Sequence, residues 1–364
     1  MSTYRLRDFV DPIAITVQDP ANSGFERFVG LEHYDSNELV IKRFSGVELL
    51  TTNAKAFQKN DLLIARRNVY LRRAGVVYFD GITSGDSIVL RVKEDCEKQT
   101  GINRELAQRI LPLVLNTDKF WIYANKHADG MNSKRISKDT LLDYEFDLPS
   151  IEEQKVLADK LWAAYKVKES YRQLLSTTDE MLKAKFQEMF DFQDLDLTNP
   201  TNDFDKYCFD ATSSATKIPA GNYLDEGKYA IYDQGQEKDI AGFTNTEDGV
   251  NKDYPVILFG DHSRVIKFIN EPFFIGADGV KIIRVKDEKT LLPYFLFYDL
   301  LYHNIPNTGY NRHFKYIKML KLTVPPMELQ QQFAEIATQA EATKASLRAS
   351  IEAIDRVIRS LINQ

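Results

Sequence analysis

Two stretches of the chain alternate apolar and polar residues with helical rather than strand periodicity, and both are long. In the first, one face carries Leu157, Leu161, Ala164, Lys168, Tyr171, Leu175, Thr178 and Leu182; in the second, Phe333, Ala337, Ala340, Lys344, Leu347, Ile351, Ile354, Ile358 and Leu361. The steps alternate between four and three residues, the a/d seam of a coiled coil. Neither Gly nor Pro occurs within residues 151–190 or 327–364. Each stretch therefore predicts one uninterrupted helix, a rod of about 60 Å for ~40 residues. An exposed amphipathic helix of that length is marginal alone, and the natural partner of each is the other. Pro149 and Pro325 mark the starts. Ser150 and Glu153 make a capping box, and Pro326, in the place of Ser150, suits a first helical turn.

The two helices belong to a repeat. Residues 148–158 match residues 324–334 around Pro149/Pro325, Glu152/Glu328, Gln154/Gln330 and Ala158/Ala334, and the same register continues through Lys168/Lys344, Ser170/Ser346, Arg172/Arg348 and Asp179/Asp355. The segments before the helices repeat more loosely. Each has a strand with a shared ending, Ser87–Lys93 and Val280–Lys286, then an apolar helical stretch, Glu105–Asn125 and Leu291–Tyr302. Each then has a glycine-led polar loop, Gly130–Arg135 and Gly309–His313, and a strand-like run into proline, Leu142–Leu148 and Leu320–Val324. Residues 191–206, rich in Asp, Asn and Thr, have the composition of a linker. The expected layout is 1–148, a helix over 149–190, a linker over 191–206, a second globular part over 207–324 and a helix over 325–364. The fold class is α/β (α+β), with two mixed domains joined by two long antiparallel helices in a pseudo-two-fold arrangement.

Composition narrows the function. The chain has 364 residues, 43% hydrophobic and 27% charged, globular values that make roughly two to three domains. Two cysteines leave no disulfide framework and no multi-cysteine zinc site, and the five histidines include no pair spaced for a helix-borne metal. No apolar run approaches the ~18 residues of a membrane helix, and no secretory signal is evident, so a cytoplasmic protein is expected. The net charge is −6 and the whole acidic excess lies in residues 191–320, which argues against a nonspecific nucleic-acid binder but not against basic faces on an acidic body. Three basic clusters exist: Lys42 to Arg73, Lys126 to Lys138, and Arg312 to Lys321. Any one of them could be no more than a solvated surface, but amide and aromatic residues are interspersed, the mixture that suits phosphate grip plus base-edge contact.

This order of parts resembles the specificity subunit (HsdS) of Type I restriction-modification systems. The family's doubled signature of an apolar residue, Pro and Glu-x-Gln or Glu-Gln before a long helix is similar to Leu148-Pro149 through Gln154 and Val324-Pro325 through Gln330. The second half adds Tyr229–Asp233, Val256–Gly260, Gly276–Val280 and Leu292–Tyr298. The first half departs with Ile64-Ala-Arg-Arg67 where a glycine-containing turn is expected. The resemblance implies a non-catalytic DNA-binding chain whose two target-recognition domains each read half of a split site in double-stranded DNA. It further implies helices that set the spacing and dock two methylation subunits, with restriction subunits completing the complex. S-adenosylmethionine would belong to the methylation partner, ATP and magnesium to the restriction partner, and no cofactor or metal to this chain.

No catalytic constellation stands against that. Gly221 to Lys228 imitates a phosphate loop with the wrong spacing and Tyr229 in place of Ser or Thr. Asp210 with Glu226 and Lys228 is a carboxylate set of the kind chance produces. Candidate DNA contacts are Arg66, Arg67, Arg72 and Arg73 on a strand-turn segment; Asn132, Lys134 and Arg135; and His262, Arg264, Asn311, Arg312, His313 and Lys315. Candidate seam or partner positions are Leu157, Leu161, Lys168, Leu175, Phe333, Lys344, Ile351 and Ile358. Lys168 and Lys344 are odd on an apolar face: each either snorkels over apolar surface, sets the register or touches a methylation subunit. Two alternatives remain beside the resemblance: the specificity chain of a related DNA-methylation phage-defence system, and a coiled-coil protein scaffold that binds no DNA.

Overall fold

The computed structural model describes residues 2–130, 133–236, 238–276, 278–309 and 311–363. The chain forms two compact units, Met1–Arg172 with Arg348–Gln364, and Gln173–Leu347. Each unit mixes helix and sheet.

Unit 1 is built on an antiparallel sheet in the order Val10–Ile13, Ser87–Val92, Leu62–Ala65, Ala74–Val76. Its core runs from Leu62, Ile64, Ile88 and Leu90 on the strands to Leu106, Ile110, Leu111, Phe120 and Trp121. The apolar stretch expected as one helix is two, Arg104–Val114 and Asp118–Lys126, because Thr117 caps the second by accepting from Phe120 N. A smaller sheet orders Thr16–Val17, Ala54–Phe57, Gly81–Thr83 and Phe28–Val29. Unit 2 repeats the main sheet, while its second sheet orders its strands differently. Its main sheet orders Cys208–Asp210, Val280–Val285, Val256–Gly260 and Ile266–Ile269, and its second orders Lys217–Ile218, Phe273–Gly276, Tyr229–Tyr232 and Gly242–Thr244.

The central strands hold matching register. Leu62 faces Leu90 and Ala65 faces Ser87 in unit 1; Ile257 faces Ile283 and Gly260 faces Val280 in unit 2. The shared ending seen in the sequence is thus the same buried central strand, and Ala65 occupies the place of Gly260.

The units differ where the chain enters each long helix. Glu145–Leu148 is a strand because Ser2–Arg5 pairs with it. Leu320–Val324, expected as its counterpart, is not a strand. The linker lies beside it, and side chains do the bonding: Thr201 Oγ1 donates to Leu320 O at 2.5 Å and Asp203 Oδ2 accepts from Leu322 N at 3.2 Å. Asp203 also opens a short helix, Asp203–Tyr207, inside the expected linker.

The two long helices are Ile151–Met189 and Met327–Ile362. On the second, Phe333, Ala337, Ala340, Lys344, Leu347 and Ile358 of the expected seam are buried, as is Gln330 one turn before it. On the first, Leu161, Lys168, Thr178 and Leu182 are buried, but Ala158 and Tyr165 take the places expected for Leu157 and Ala164. There the helix also packs on its own globular core, and Trp162 Nε1 donates to Arg109 O at 2.9 Å, which turns the buried face by one residue. Leu175 and Ile351 are half-buried.

The repeated Pro…Gln motif is a lock at the helix start. Gln154 Nε2 donates to Pro149 O and Gln330 Nε2 to Pro325 O, both at 2.8 Å. Gln330 also donates to Thr290 O at 2.9 Å and accepts from Leu292 N at 2.8 Å. The Ser150–Glu153 capping box is formed.

Lys168 and Lys344 do not snorkel. Both are buried, and repeat-equivalent partners neutralise them. In unit 1, Lys168 Nζ lies 2.6 Å from Asp355 of the second helix and 2.7 Å from Glu38. In unit 2, Lys344 Nζ lies 2.5 Å from Asp179 of the first helix and 2.7 Å from Glu341. Burial opposes the charge on Glu38, yet Arg172 and Lys168 hold its carboxyl below the usual range. With its ammonium enclosed, neither lysine is placed to touch a partner subunit.

Gln330→Ala should cost about 2–3 kcal/mol, because it strands a buried N–H and two carbonyls, and Gln154→Ala should cost about 1 kcal/mol; urea midpoints of the two variants give the comparison. A second prediction concerns pH. Burial pushes the Asp299 carboxyl up to about 7. It faces Thr323, His303 and Asp203. The folded state then holds a proton that the unfolded chain gives up at lower pH, so stability is lost as pH rises towards and through 7. Asp299→Asn should gain about 2 kcal/mol relative to the parent between pH 5 and pH 8, read from paired denaturation curves.

Candidate functional site

Three loops meet at one end of the main sheet in each unit, held by the same two backbone hydrogen bonds. In unit 1, Arg66 N donates to Asp86 O at 2.9 Å and Ile136 N to Arg66 O at 3.0 Å; in unit 2, Asp261 N donates to Gly279 O at 2.7 Å and His313 N to Asp261 O at 2.8 Å. A hairpin loop, the turn before the central strand and the polar loop after the helices therefore converge twice. The loops named from the sequence are among them. Paired backbone at the end of a rigid sheet is a scaffold on which exposed side chains can vary without loss of the core.

In unit 1 the convergence joins two basic clusters that lie far apart in sequence. Asp129 and Arg135 pair as a short hairpin, Arg67 bridges to Arg135, and Asn68 N donates to Lys134 O at 2.8 Å. Arg67 Nε donates to Ser133 Oγ at 2.7 Å. Asp86 sits among the cations, 3.8 Å from Arg67 and 3.4 Å from Arg135. Lys55 lies beside them and donates to Ser87 O at 2.8 Å. Burial first, then the charges of Arg66 and Lys138, hold its ammonium below the usual range. Lys134 and Arg135 are exposed and Arg66 and Arg67 half-exposed, so the patch is strongly positive. Asn132 lies outside the described residues.

Arg72 and Arg73 differ from the expectation. The segment is a loop with a 3-10 turn over Val69–Leu71, not an extended strand, and Arg72 has φ 51°. Arg72 Nη1 lies 2.5 Å from Asp118. Arg73 donates to Leu31 O at 3.0 Å and Arg67 O at 3.1 Å, and burial holds its guanidinium below the usual range. Arg73 thus ties its loop to Leu31 and Arg67, and Arg72 ties it to the helix that begins at Asp118.

In unit 2, His313 is fully buried, which removes it from the candidate contacts. Its Nδ1 lies 2.9 Å from Asp261 O and its Nε2 3.3 Å from Thr308 N; an enclosed ring ties two loops together and offers nothing to a groove. Asp261 completes the tie by accepting from Phe314 N at 2.8 Å. Arg264, at φ 63°, donates to Ile305 O at 2.9 Å. His262 Nδ1 lies 3.1 Å from Asn311 O. Asn311, Arg312 and Lys315 are exposed, with Lys315 Nζ 4.9 Å from the Tyr316 ring.

A cavity of about 460 Å³ is lined by Asp210, Thr212, Ser213, Ala215, Lys217 and Lys281, and Lys281 is paired with Asp210 at 3.0 Å. Among the described residues no group of three or more His, Cys, Asp or Glu could hold a metal ion, and no helix is long and apolar enough to cross a membrane.

The family model for the Type I restriction modification DNA specificity domain matches residues 11–175 and 209–356. The chain belongs to this family. The two matches begin at equivalent edge strands and end inside the two long helices, so the family repeat and the structural repeat coincide. The protein is a DNA sequence-specificity subunit of a Type I system, and such subunits recognise DNA without catalysing its modification. Comparison with curated proteins finds no match. Among solved structures, a chain from a type I R-M system, solved for its complex assembly and conformational transition, is 17% identical. The alignment covers 99% of this chain and 96% of that one, with a TM-score of 0.50. The S subunit of a Type-I restriction-modification system from M. genitalium is 13% identical, with 99% and 94% covered and a TM-score of 0.52. These likenesses support the fold.

His313→Ala should cost about 2–4 kcal/mol, because it leaves buried loop groups unpaired; thermal unfolding of the variant checks this.

Proposed function

We propose that the converging loops of each unit are its DNA-facing surface, and that each unit reads one half of a bipartite site in double-stranded DNA. The observation that carries the reading is the doubled convergence: the same hydrogen-bonded frame, at the same end of the same sheet, presents different side chains in the two units. Arg66, Arg67, Lys134 and Arg135 would hold and read in unit 1, and His262, Asn311, Arg312 and Lys315 in unit 2. The domains are 1–148 and 207–324, with the linker at 191–206. The helices over 149–190 and 325–364 pair as an antiparallel coiled coil that fixes the distance between half-sites. Support for that pairing comes from the buried Lys168–Asp355 and Lys344–Asp179 contacts. Two methylation subunits, which bring S-adenosylmethionine, dock on the helices, and restriction subunits join them in the cytoplasm. Val167, Leu174 and Met181, exposed at heptad spacing on the first helix, suit such docking.

Affinity measured on a panel of single-base variants at two salt concentrations separates grip from reading. Lys315→Ala should weaken binding to all sequences alike and lower the salt slope by about one unit. Arg312→Ala should cost about 1–3 kcal/mol at one base of one half-site. A uniform loss for Arg312→Ala would make it a phosphate holder. For spacing, a compensated insertion of about four residues per helix lengthens the pair by roughly 6 Å. It should lengthen the tolerated spacer by about one or two base pairs, read from the methylated sites.

A further inference from the structure

The sheet registers allow the two units to be compared position by position around the convergence, and three equivalent positions exchange large for small. Ala65 corresponds to Gly260. Asp86 corresponds to Gly279, each immediately before the central strand. Counted back from the central strand, Thr83 corresponds to Gly276; Val29 pairs with Thr83 and Tyr232 with Ile275, so Val29 corresponds to Asp233 and Gly30 to Gln234. Unit 1 is small at Gly30 and larger at Ala65 and Asp86; unit 2 is small at Gly260 and Gly279 and large at Gln234.

The exchange has a steric reason. A Cβ on Gly279 would lie 2.4 Å from Gln234 Nε2, and one on Gly260 would lie 3.0 Å from Gln234 Cβ. The two glycines, Gly279 with φ 73°, leave a slot that the Gln234 side chain fills. Within it, Oε1 accepts from His262 N at 3.2 Å. A backbone N–H can only donate, so this bond fixes which end of the amide is oxygen. Nε2 has no partner among the described residues. The neighbouring chain is fastened to the same hairpin. Gln236 Nε2 donates to Ser263 O at 2.9 Å, and the buried Lys267 donates to the carbonyls of Lys238 at 2.9 Å and Asp239 at 3.0 Å. An oriented carboxamide whose N–H edge has no partner among the described residues, seated just beyond a strand and against the hairpin loop and the turn before the central strand, is the group that matches the adjacent acceptor and donor of an adenine edge. Unit 1 places the Asp86 carboxylate, an acceptor only, at the corresponding point and uses it to gather Arg67 and Arg135.

We propose that Gln234 is a specificity-determining residue of unit 2 that reads an adenine through its carboxamide. The proposal rests on the assignment of these loops to DNA. The test uses the full chain assembled with its methylation partners, on a panel carrying every single-base change in both half-sites. Gln234→Glu, nearly isosteric and able to keep the bond from His262 N, should lose the preference for adenine at one position of one half-site by about tenfold or more, the discrimination a bidentate amide supplies. Gly279→Ala, which displaces the amide, should relax the same position. Preferences in the other half-site should stay unchanged. If Gln234→Glu does not fold, Gln234→Met, of similar length without hydrogen-bonding groups, is read in the same way. Unchanged base preferences in the variant, or an equal loss on every sequence, overturn the proposal. If Arg312→Ala and Lys315→Ala still change DNA binding, that failure concerns Gln234 alone. If those variants also bind DNA as the parent does, the assignment of the loops falls with it.

Discussion

A lysine ammonium enclosed in a helix seam must be met by carboxylates, since an unpaired buried charge costs several kcal/mol. This chain accepts that constraint twice. Lys168 finds Asp355 and Glu38, and Lys344 finds Asp179 and Glu341. Such pairs add little stability compared with well-packed apolar side chains, but they penalise every other register of the two helices. Because Glu38 belongs to the globular part of unit 1, the same ammonium also fixes the helix against that part. The globular part of unit 1 is thus tied to the helices by a charged contact outside the loops.

Above that constraint, the two units share a frame and differ in its contents. Strand register and two backbone hydrogen bonds bring three loops together in each. Backbone bonds require no particular side chains, so they survive where Arg66 stands opposite Asp261 and Ile136 opposite His313. Unit 1 fills the frame with cations gathered on Asp86; unit 2 fills it with a buried histidine and an amide, its exposed cations Arg312 and Lys315 lying beside them. A specificity subunit is served by this separation of constant backbone from variable side chains, and the chain's acidic total poses no obstacle in unit 1, where cations gather at the loops.

Much of this was legible in the sequence. Helical periodicity, the absence of Gly and Pro, and the repeated Pro…Gln motif defined the two long helices, because each signal acts within a few residues. The matched endings at Ser87–Lys93 and Val280–Lys286 marked strands, and the structure places both at the second position of the main sheet, with Ile88, Leu90, Ile282 and Ile283 buried. The doubled motif was enough to suggest the family. The sequence also named the polar loops, and their exposed members Lys134, Arg135, Asn311, Arg312 and Lys315 do lie at the surface.

Tertiary structure decided the rest, wherever the deciding partner is remote in sequence. Leu320–Val324 has a strand's alternation but no strand beside it, and pairing is a property of two segments. The buried face of the first helix turned from Leu157 to Ala158 because a globular core lies against it. Arg72, Arg73 and His313 have the composition of DNA contacts, yet Asp118, Leu31 and Asp261 claim them. Gln234 carried no signal at all, because its slot is made by glycines in two other segments. Periodicity and caps are local and can be read along the chain, whereas the partner of a polar side chain is fixed only when distant segments are folded together.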